Sequence, residues 1–189
     1  MQTISKVYDS YPQAEAAVRD LESTGVPASE ISLVANKDLY ADDVSATAVG
    51  AELGAAVGGG VGLLSGLGML AIPGVGPVVA VGWLAATAAG AFAGSATGGI
   101  IGALVDAGTP ETEAHFYSEA IRRGGSLVTV RTNRTTDQIK PILERHGPID
   151  PATRRSEYEQ GGWNTYDPNA PAYRRDQAAA AEAARRTTL

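Results

Sequence analysis

The stretch that decides the predicted fold reads GAELGAAVGGGVGLLSG over residues 50–66 and GWLAATAAGAFAGSATGGIIG over residues 82–102. Glycine occupies every fourth position in both parts, with alanine at one step of the second. Because four residues is close to one helical turn, each set lines up along one side of a helix. A helix side without side chains lets a second helix approach closely, as in the small-xxx-small motif. The helix-packing positions predicted in this way are Gly50, Gly54, Gly58, Gly62 and Gly66 in the first part and Gly82, Ala86, Gly90, Gly94, Gly98 and Gly102 in the second.

The two glycine-spaced parts are separated by the sequence IPGVGP at residues 72–77. Two prolines and two glycines interrupt a helix, so the segment predicts a turn between helical arms at 46–71 and 78–106. At 1.5 Å per residue each arm would be about 40 Å long, and a bilayer's hydrocarbon core is about 30 Å thick. The sequence therefore predicts a long Gly/Ala-rich helical hairpin over residues 50–107. Its turn residues are Pro73, Gly74, Gly76 and Pro77.

Three arrangements would cover the apolar side chains of this hairpin. The region between Val44 and Val105 carries one charge, Glu52, but alanine and glycine dominate it. Its nearest flanking charges are acidic, whereas a membrane hairpin with cytoplasmic ends has basic flanks. We therefore expect neighbouring subunits to cover the hairpin in a homo-oligomer; membrane insertion is the alternative, and a monomer with its arms packed together is the third arrangement. The large side chains that need cover are Leu53, Val57, Leu64, Leu67, Leu84, Ile100, Ile101 and Leu104.

The residues on both sides of the hairpin follow strand and helix periodicities. Residues 1–37 predict strand, helix and strand, and residues 109–150 predict helix, strand and helix with a last short strand at 148–150. These two related βαβ patterns predict a ferredoxin-like α+β domain, an antiparallel four-stranded sheet with helices on one face. Residues 38–49 would be a polar linker. The predicted strands are 3–8, 31–34 and 127–130, and the predicted helices are 12–24, 110–123 and 136–146.

Residues 151–189 lose apolar periodicity. Residues 151–173 are rich in proline, asparagine, glycine and aspartate, and residues 177–186 form an alanine-rich run too short to be a stable helix alone. The sequence therefore predicts a flexible, disordered C-terminal tail. Its aromatic residues, Trp163, Tyr166 and Tyr173, are candidate contact points for a partner.

Composition excludes several classes of function. The net charge of −6 and the pI of about 4.9 argue against a nucleic-acid partner. The chain has no cysteine, which excludes thiolate nucleophiles and cysteine metal sites. His115 has Glu111 and Glu119 at four-residue spacing, a pattern of three metal ligands, but a solvated helix face explains it better. We expect no catalytic residues, no cofactor, no metal and no small-molecule substrate. We expect a cytoplasmic location because residues 1–6 lack the features of a secretory signal.

Several of these motifs carry a family resemblance. The sequences VYDS at 7–10, AEAAV at 14–18, ISLV at 31–34 and GGSLVTV at 124–130 make the chain similar to the general stress protein 17M-like (YflT-type) domain. The resemblance covers about residues 3–150, and such proteins often continue into a glycine-zipper segment. It implies a bacterial protein linked to general stress responses, with no catalytic residues to carry over.

These observations predict a non-enzymatic, stress-associated structural protein that self-assembles through its glycine-zipper hairpin. The alternative is a membrane-embedded hairpin that carries a cytoplasmic ferredoxin-like domain. A second alternative is a small-molecule-binding regulatory module, since ferredoxin-like sheets can hold ligands.

Overall fold

The computed structural model describes residues 1–36, 70–72, 75–91, 99–167, 169–171, 173 and 176–177. These residues form a mixed α+β fold, as the sequence predicts. The five strands are β1 (Gln2–Tyr8), β2 (Ile31–Asn36), β3 (Leu70–Ile72), β4 (Gly76–Gly82) and β5 (Ser126–Thr132). The six α-helices are α1 (Tyr11–Ser23), α2 (Trp83–Ala91), α3 (Ile100–Asp106), α4 (Glu111–Arg122), α5 (Thr136–Glu144) and α6 (Pro151–Gln160).

The strands form one antiparallel sheet in the order β1-β5-β2-β4-β3. β5 lies between β1 and β2 and pairs with both, so the β1-α1-β2 unit has its two strands separated by an antiparallel neighbour. The register places Ser5, Thr129, Ser32 and Gly82 in one row across four strands. The last residue of β4 therefore lies directly against β2.

Helices cover both faces of the sheet, and the prediction of helices on one face is wrong. α1 and α5 pack on one face, where Leu21 and Leu143 meet β-strand residues such as Val128. α2, α3, α4 and α6 pack on the other face, around Leu127. The second layer comes from the segment between β2 and β5 and from the predicted tail. An antiparallel sheet can leave one face in water, but the second face here carries a buried apolar row across four strands, so it also needs cover. This row consists of Val7, Leu127, Val34 and Ala80.

β3 and β4 form a β-hairpin where the sequence predicts the turn and start of a helical hairpin. β3 pairs with β4 so that Ile72 opposes Gly76 and Ala71 opposes Pro77. Valine is β-branched and packs well on a pleated surface, and three of the five residues at 77–81 are valine. The side-chain amide of Asn36 donates to the carbonyl of Val75 at 3.0 Å and ties the hairpin to β2. Strand pairing with β2 thus overrides the glycine spacing, and Gly76 and Pro77 begin a strand.

The second glycine stripe does not lie on one helix. Gly82 ends β4, Ala86 and Gly90 lie in α2, and Gly102 lies in α3. Gly82 has φ +93°, and a β-carbon there would lie 2.1 Å from the carbonyl oxygen of Ile31. This glycine is required for close strand contact, because the residue has both a left-handed backbone and no space for a side chain. Ala86 is exposed on α2.

The large apolar residues of the predicted second arm are covered by the chain itself. Leu84 and Leu104 are fully buried, and Ile100 and Ile101 are at most 6% exposed. All four belong to the core on the second sheet face. The expectation that a neighbouring subunit or a membrane covers them is therefore wrong for these residues.

The predicted elements of residues 109–150 are confirmed except for the last strand. α4, β5 and α5 match their predicted positions, and Pro141 lies inside α5. At 148–150 the structure shows one backbone hydrogen bond to the sheet, from the N–H of Ile149 to the carbonyl of Val7 at 2.7 Å. Pro148 has no N–H to donate and Pro151 begins α6, so a longer ladder cannot form here.

The first part of the predicted disordered tail is ordered. Residues 151–160 form α6, capped by the Asp150 carboxylate, which accepts from the N–H of Thr153 at 2.8 Å. Tyr158 is 4% exposed and Trp163 is 9% exposed, both within the core of the second face. The prediction failed because the buried side of this helix is made of Arg154 and Tyr158, which apolar periodicity does not detect.

Other predictions lie outside the described residues. These are the linker at 38–49 and the positions Gly50, Gly54, Gly58, Gly62, Gly66, Pro73, Gly74, Gly94 and Gly98.

Candidate functional site

The C-terminal half of α4 carries a cluster of buried charge. The Glu119 side chain is 2% exposed and accepts hydrogen bonds from Arg122 Nε at 2.8 Å and Arg122 Nη2 at 2.6 Å. Arg123 Nε donates to the same carboxylate. The hydrogen bonds with Glu119 raise the pKa of the Arg122 guanidinium. Two arginines on one carboxylate leave a net positive charge, and this charge faces residues of the C-terminal region.

Two aromatic side chains from the C-terminal region, Tyr158 and Tyr173, lie over these arginines. The Arg123 guanidinium carbon is 4.2 Å from the ring centre of Tyr158, and that of Arg122 is 5.3 Å from the ring centre of Tyr173. Arg122 Nη1 also donates to the carbonyl of Pro171 at 3.2 Å. Cation–π contacts of this kind are worth about 0.5–2 kcal/mol each. The cluster on α4 therefore binds the segment that follows α6.

We call residues 161–167, directly after α6, the C-terminal strap. Its Trp163 packs edge-on against Tyr158, with ring centres 6.1 Å apart. Arg155 reaches over the rings of Trp163 and Phe116, at 5.9 Å and 5.6 Å from the ring centres. The strap thus extends the second layer of helices. The aromatic residues proposed as contact points for a partner contact α4 and α6 of the same chain.

His115 on α4 holds the middle of the strap. Its Nδ1 accepts the backbone N–H of Tyr166 at 3.3 Å and lies 3.1 Å from the hydroxyl of Thr165. The imidazole and the Tyr166 ring meet edge-on, with ring centres 6.3 Å apart. Burial raises the pKa of Tyr166 to about 12, so this phenol stays neutral. On the other side of the imidazole, Nε2 lies 3.7 Å from Glu111 Oε1.

Arg154 joins α6 to the loop between β1 and α1. Its Nη1 and Nη2 donate to the two carboxylate oxygens of Asp9 at 2.9 Å and 3.2 Å. Its Nε lies 3.0 Å from Glu157 on the next turn of α6. The Arg154 side chain is 10% exposed and the Asp9 side chain is 46% exposed, so this bidentate pair is buried on its Arg154 side and open to water on its Asp9 side.

The other histidine belongs to a separate ion cluster on the opposite face of the sheet. The Asp20 carboxylate on α1 accepts from His146 Nε2 at 3.0 Å and from Arg145 Nη1 at 2.6 Å. These two residues directly follow α5, so the cluster ties the two helices of the first layer together. The hydrogen bond from His146, followed by the charge of Arg145, lowers the pKa of Asp20.

Replacing Asp20 by asparagine is expected to remove stability only at pH values where the carboxylate is charged. Because the folded pKa lies below the usual 3.8, the contribution is complete above that value and is lost as the pH falls through the folded pKa. The urea midpoints of the wild type and of Asp20→Asn should differ at about pH 5 and converge by about pH 2. Asp106→Asn is the control, since this acid is exposed at the end of α3. A difference that persists unchanged to the lowest pH would contradict the assignment.

In the structure, the candidate metal ligands of α4 are engaged in separate contacts. Glu119 is turned into its arginine pairs, while His115 binds the strap. Among the described residues, no group of three histidine or acidic side chains is arranged to hold a metal ion. None of the helices in the described ranges combines the length and apolar content needed to cross a bilayer.

Sequence reasoning did not identify the strap contacts, although a signal was present. Asp150 followed by Pro151 is a cap followed by a proline at the first helical position, a known helix start. The region after residue 150 also carries several aromatic residues, which can meet the two adjacent arginines at the end of α4, Arg122 and Arg123. What the sequence does not show is that the tail returns to α4, because that contact spans about fifty residues.

No protein-family model matches the chain, and no curated protein or solved structure is detectably similar to it. The resemblance over residues 3–150 therefore stays a prediction. What the protein does has to be inferred from its own residues.

Proposed function

We propose that this is a non-enzymatic, stress-associated protein that self-assembles through residues 50–66. The observation that carries the proposal is the spacing of Gly50, Gly54, Gly58, Gly62 and Gly66 in a segment whose one charge is Glu52. Glycines at this spacing allow helix backbones to approach closely. The association with bacterial stress responses is supported by the family resemblance alone.

We infer that the assembly segment is the first stripe. Gly82 is used for contact between β4 and β2, and the apolar residues of the second arm that are described fill the chain's own core. A second copy is therefore not needed to cover them. The residues for which we propose cover by a second copy are Leu53, Val57, Leu64 and Leu67.

We further infer that the fold is a ferredoxin-like unit with an inserted second layer. The placement of β5 between β1 and β2, with α1 and α5 on one face, supports this inference. The insertion then includes β3 and β4, which extend the sheet, and α2, α3 and α4, which cover the other face. The non-enzymatic assignment is supported by Glu119, His115 and His146, whose polar atoms are engaged in contacts that hold helices and strap together.

Introducing leucine into the first stripe is expected to break the assembly. In Gly58→Leu the added side chain keeps helix backbones apart, so the measured mass should fall toward the 19.4 kDa of one chain. The matched control is Ala86→Leu, which adds a leucine to the second stripe at an exposed position of α2. Light scattering during size-exclusion chromatography, at several concentrations, measures the mass. A folded Gly58→Leu protein with the wild-type mass would overturn the proposal.

Flotation of a detergent-free lysate on a density gradient distinguishes the membrane alternative. A self-assembled particle stays in the dense fractions, because it carries no lipid. Protein that rises with lipid would instead support a membrane-embedded segment and contradict the assembly proposal. Pelleting cannot make this distinction, since large protein particles also pellet.

A further inference from the structure

The hydrogen bond between His115 and the strap requires one protonation state of the imidazole. A backbone N–H can only donate, and the N–H of Tyr166 points at His115 Nδ1 from 3.3 Å. Nδ1 must therefore carry a lone pair. The imidazole is neutral in this arrangement, with its proton on Nε2, which faces Glu111 Oε1 at 3.7 Å.

Protonation of the ring removes this acceptor. A charged imidazole carries N–H on both nitrogens, so Nδ1–H would point at the N–H of Tyr166. The hydroxyl of Thr165, 3.1 Å away, can turn and accept from Nδ1–H, but the peptide N–H cannot turn. An N–H that is removed from water and loses its acceptor destabilises the arrangement. The strap is therefore weakened when His115 gains a proton.

The charged groups around His115 come from three elements. On α4, Glu111 lies nearest, while Glu119 one turn further on is engaged by Arg122 and Arg123. On the strap, Asp167 follows Tyr166, whose phenol stays neutral. On α6, Arg155 donates to the carbonyl of Thr112.

We propose that the C-terminal strap is a pH-controlled latch: neutral His115 holds Thr165 and Tyr166 on α4, and proton uptake at Nδ1 releases them. Histidine is the side chain that gains charge as the pH falls from 8 to 5. Release lifts Trp163 from Tyr158, which itself packs on Phe116, so it uncovers the aromatic side of α4 and α6. The latch does not depend on the proposed assembly, because every group in it belongs to one chain.

Hydrogen exchange of the full chain tests the latch. Between pH 8 and pH 5, after correction for intrinsic exchange rates, protection of residues 163–167 should fall by about tenfold more than that of β5. His115→Asn places an amide oxygen where Nδ1 lies, and this acceptor does not titrate, so protection should stay constant with pH. His146→Asn, the same change at the other histidine, should leave the pH dependence of the strap as in the wild type.

Imidazole ¹⁵N chemical shifts of the wild-type chain give an independent arm, because they report the charge of the His115 ring directly. Loss of strap protection should have the same midpoint pH as the protonation of His115. If the strap in His115→Asn loses protection with pH as in the wild type, the latch is wrong. If His115→Asn fails to hold the strap at any pH, the ¹⁵N titration decides, and strap release at a pH where His115 does not change its charge would overturn the proposal.

Discussion

Gly82→Ala is expected to reduce the free energy of unfolding by about 3 kcal/mol, the combined effect of backbone strain and a collision with β2. Gly82 has φ +93°, and a β-carbon would meet the carbonyl oxygen of Ile31 at 2.1 Å and Cα of Ser32 at 2.8 Å. Both are backbone atoms, so relief requires β2 and β4 to separate. Urea unfolding followed by circular dichroism measures the change.

Gly108→Ala is the matched control for this prediction. Gly108 has nearly the same backbone, φ +92°, but no heavy atom within 4 Å of an added β-carbon. It should therefore show the strain alone, about 1 kcal/mol. Equal losses in the two variants would mean that β2 and β4 do not make the close contact described. The difference between them measures the cost of the collision separately from that of the left-handed backbone.

Glu119→Ala is expected to cost about 3 kcal/mol, because it leaves two arginines without their shared carboxylate. The side chains of Arg122 and Arg123 are 12% and 21% exposed, so water can only partly replace the lost hydrogen bonds. The same loss should also loosen the cover of Tyr158 and Tyr173, which lie over these guanidinium groups. Thermal unfolding at one fixed pH measures the effect.

The control for the buried carboxylate is an exposed acid of the same helix. The Glu111 side chain is 69% exposed, and Glu111→Ala should change the unfolding free energy by less than about 0.5 kcal/mol. Glu119→Gln keeps the shape and one acceptor oxygen, so it should fall between the two alanine variants. If Glu119→Ala were no more destabilised than Glu111→Ala, the cluster would not stabilise the fold.

Elements with a strong local pattern could be predicted from the sequence. α1 has apolar residues at helical spacing, and α4 has acids in its first turn. β5 is a run of β-forming residues bounded by glycines on one side and polar residues on the other. In each case the nearest neighbours in sequence carry the information. The antiparallel α+β class follows from the order of such elements.

The segment 70–106 could not be predicted in the same way, because its local pattern allows two structures. Glycine at four-residue spacing favours helix packing, while the valines at 78–81 favour a strand. Residues 32–36 of β2 pair with β4, and this pairing gives the backbone N–H and C=O groups of β4 hydrogen-bond partners. Long-range pairing decided the outcome, and Gly82 took a role in strand contact.

For the candidate site, too, the sequence determined some features and the tertiary structure determined others. The sequence by itself predicted the helices α1 and α5 and the strands that they cover. It also excluded cysteine chemistry and contains the glycine spacing on which the assembly proposal rests. Only the tertiary structure showed that Glu119 is buried between two arginines and that His115 accepts an N–H from the strap. Helix and strand periodicity depends on residues a few positions apart, whereas burial and hydrogen-bond partners depend on contacts between segments far apart in the chain, such as α4 and the strap.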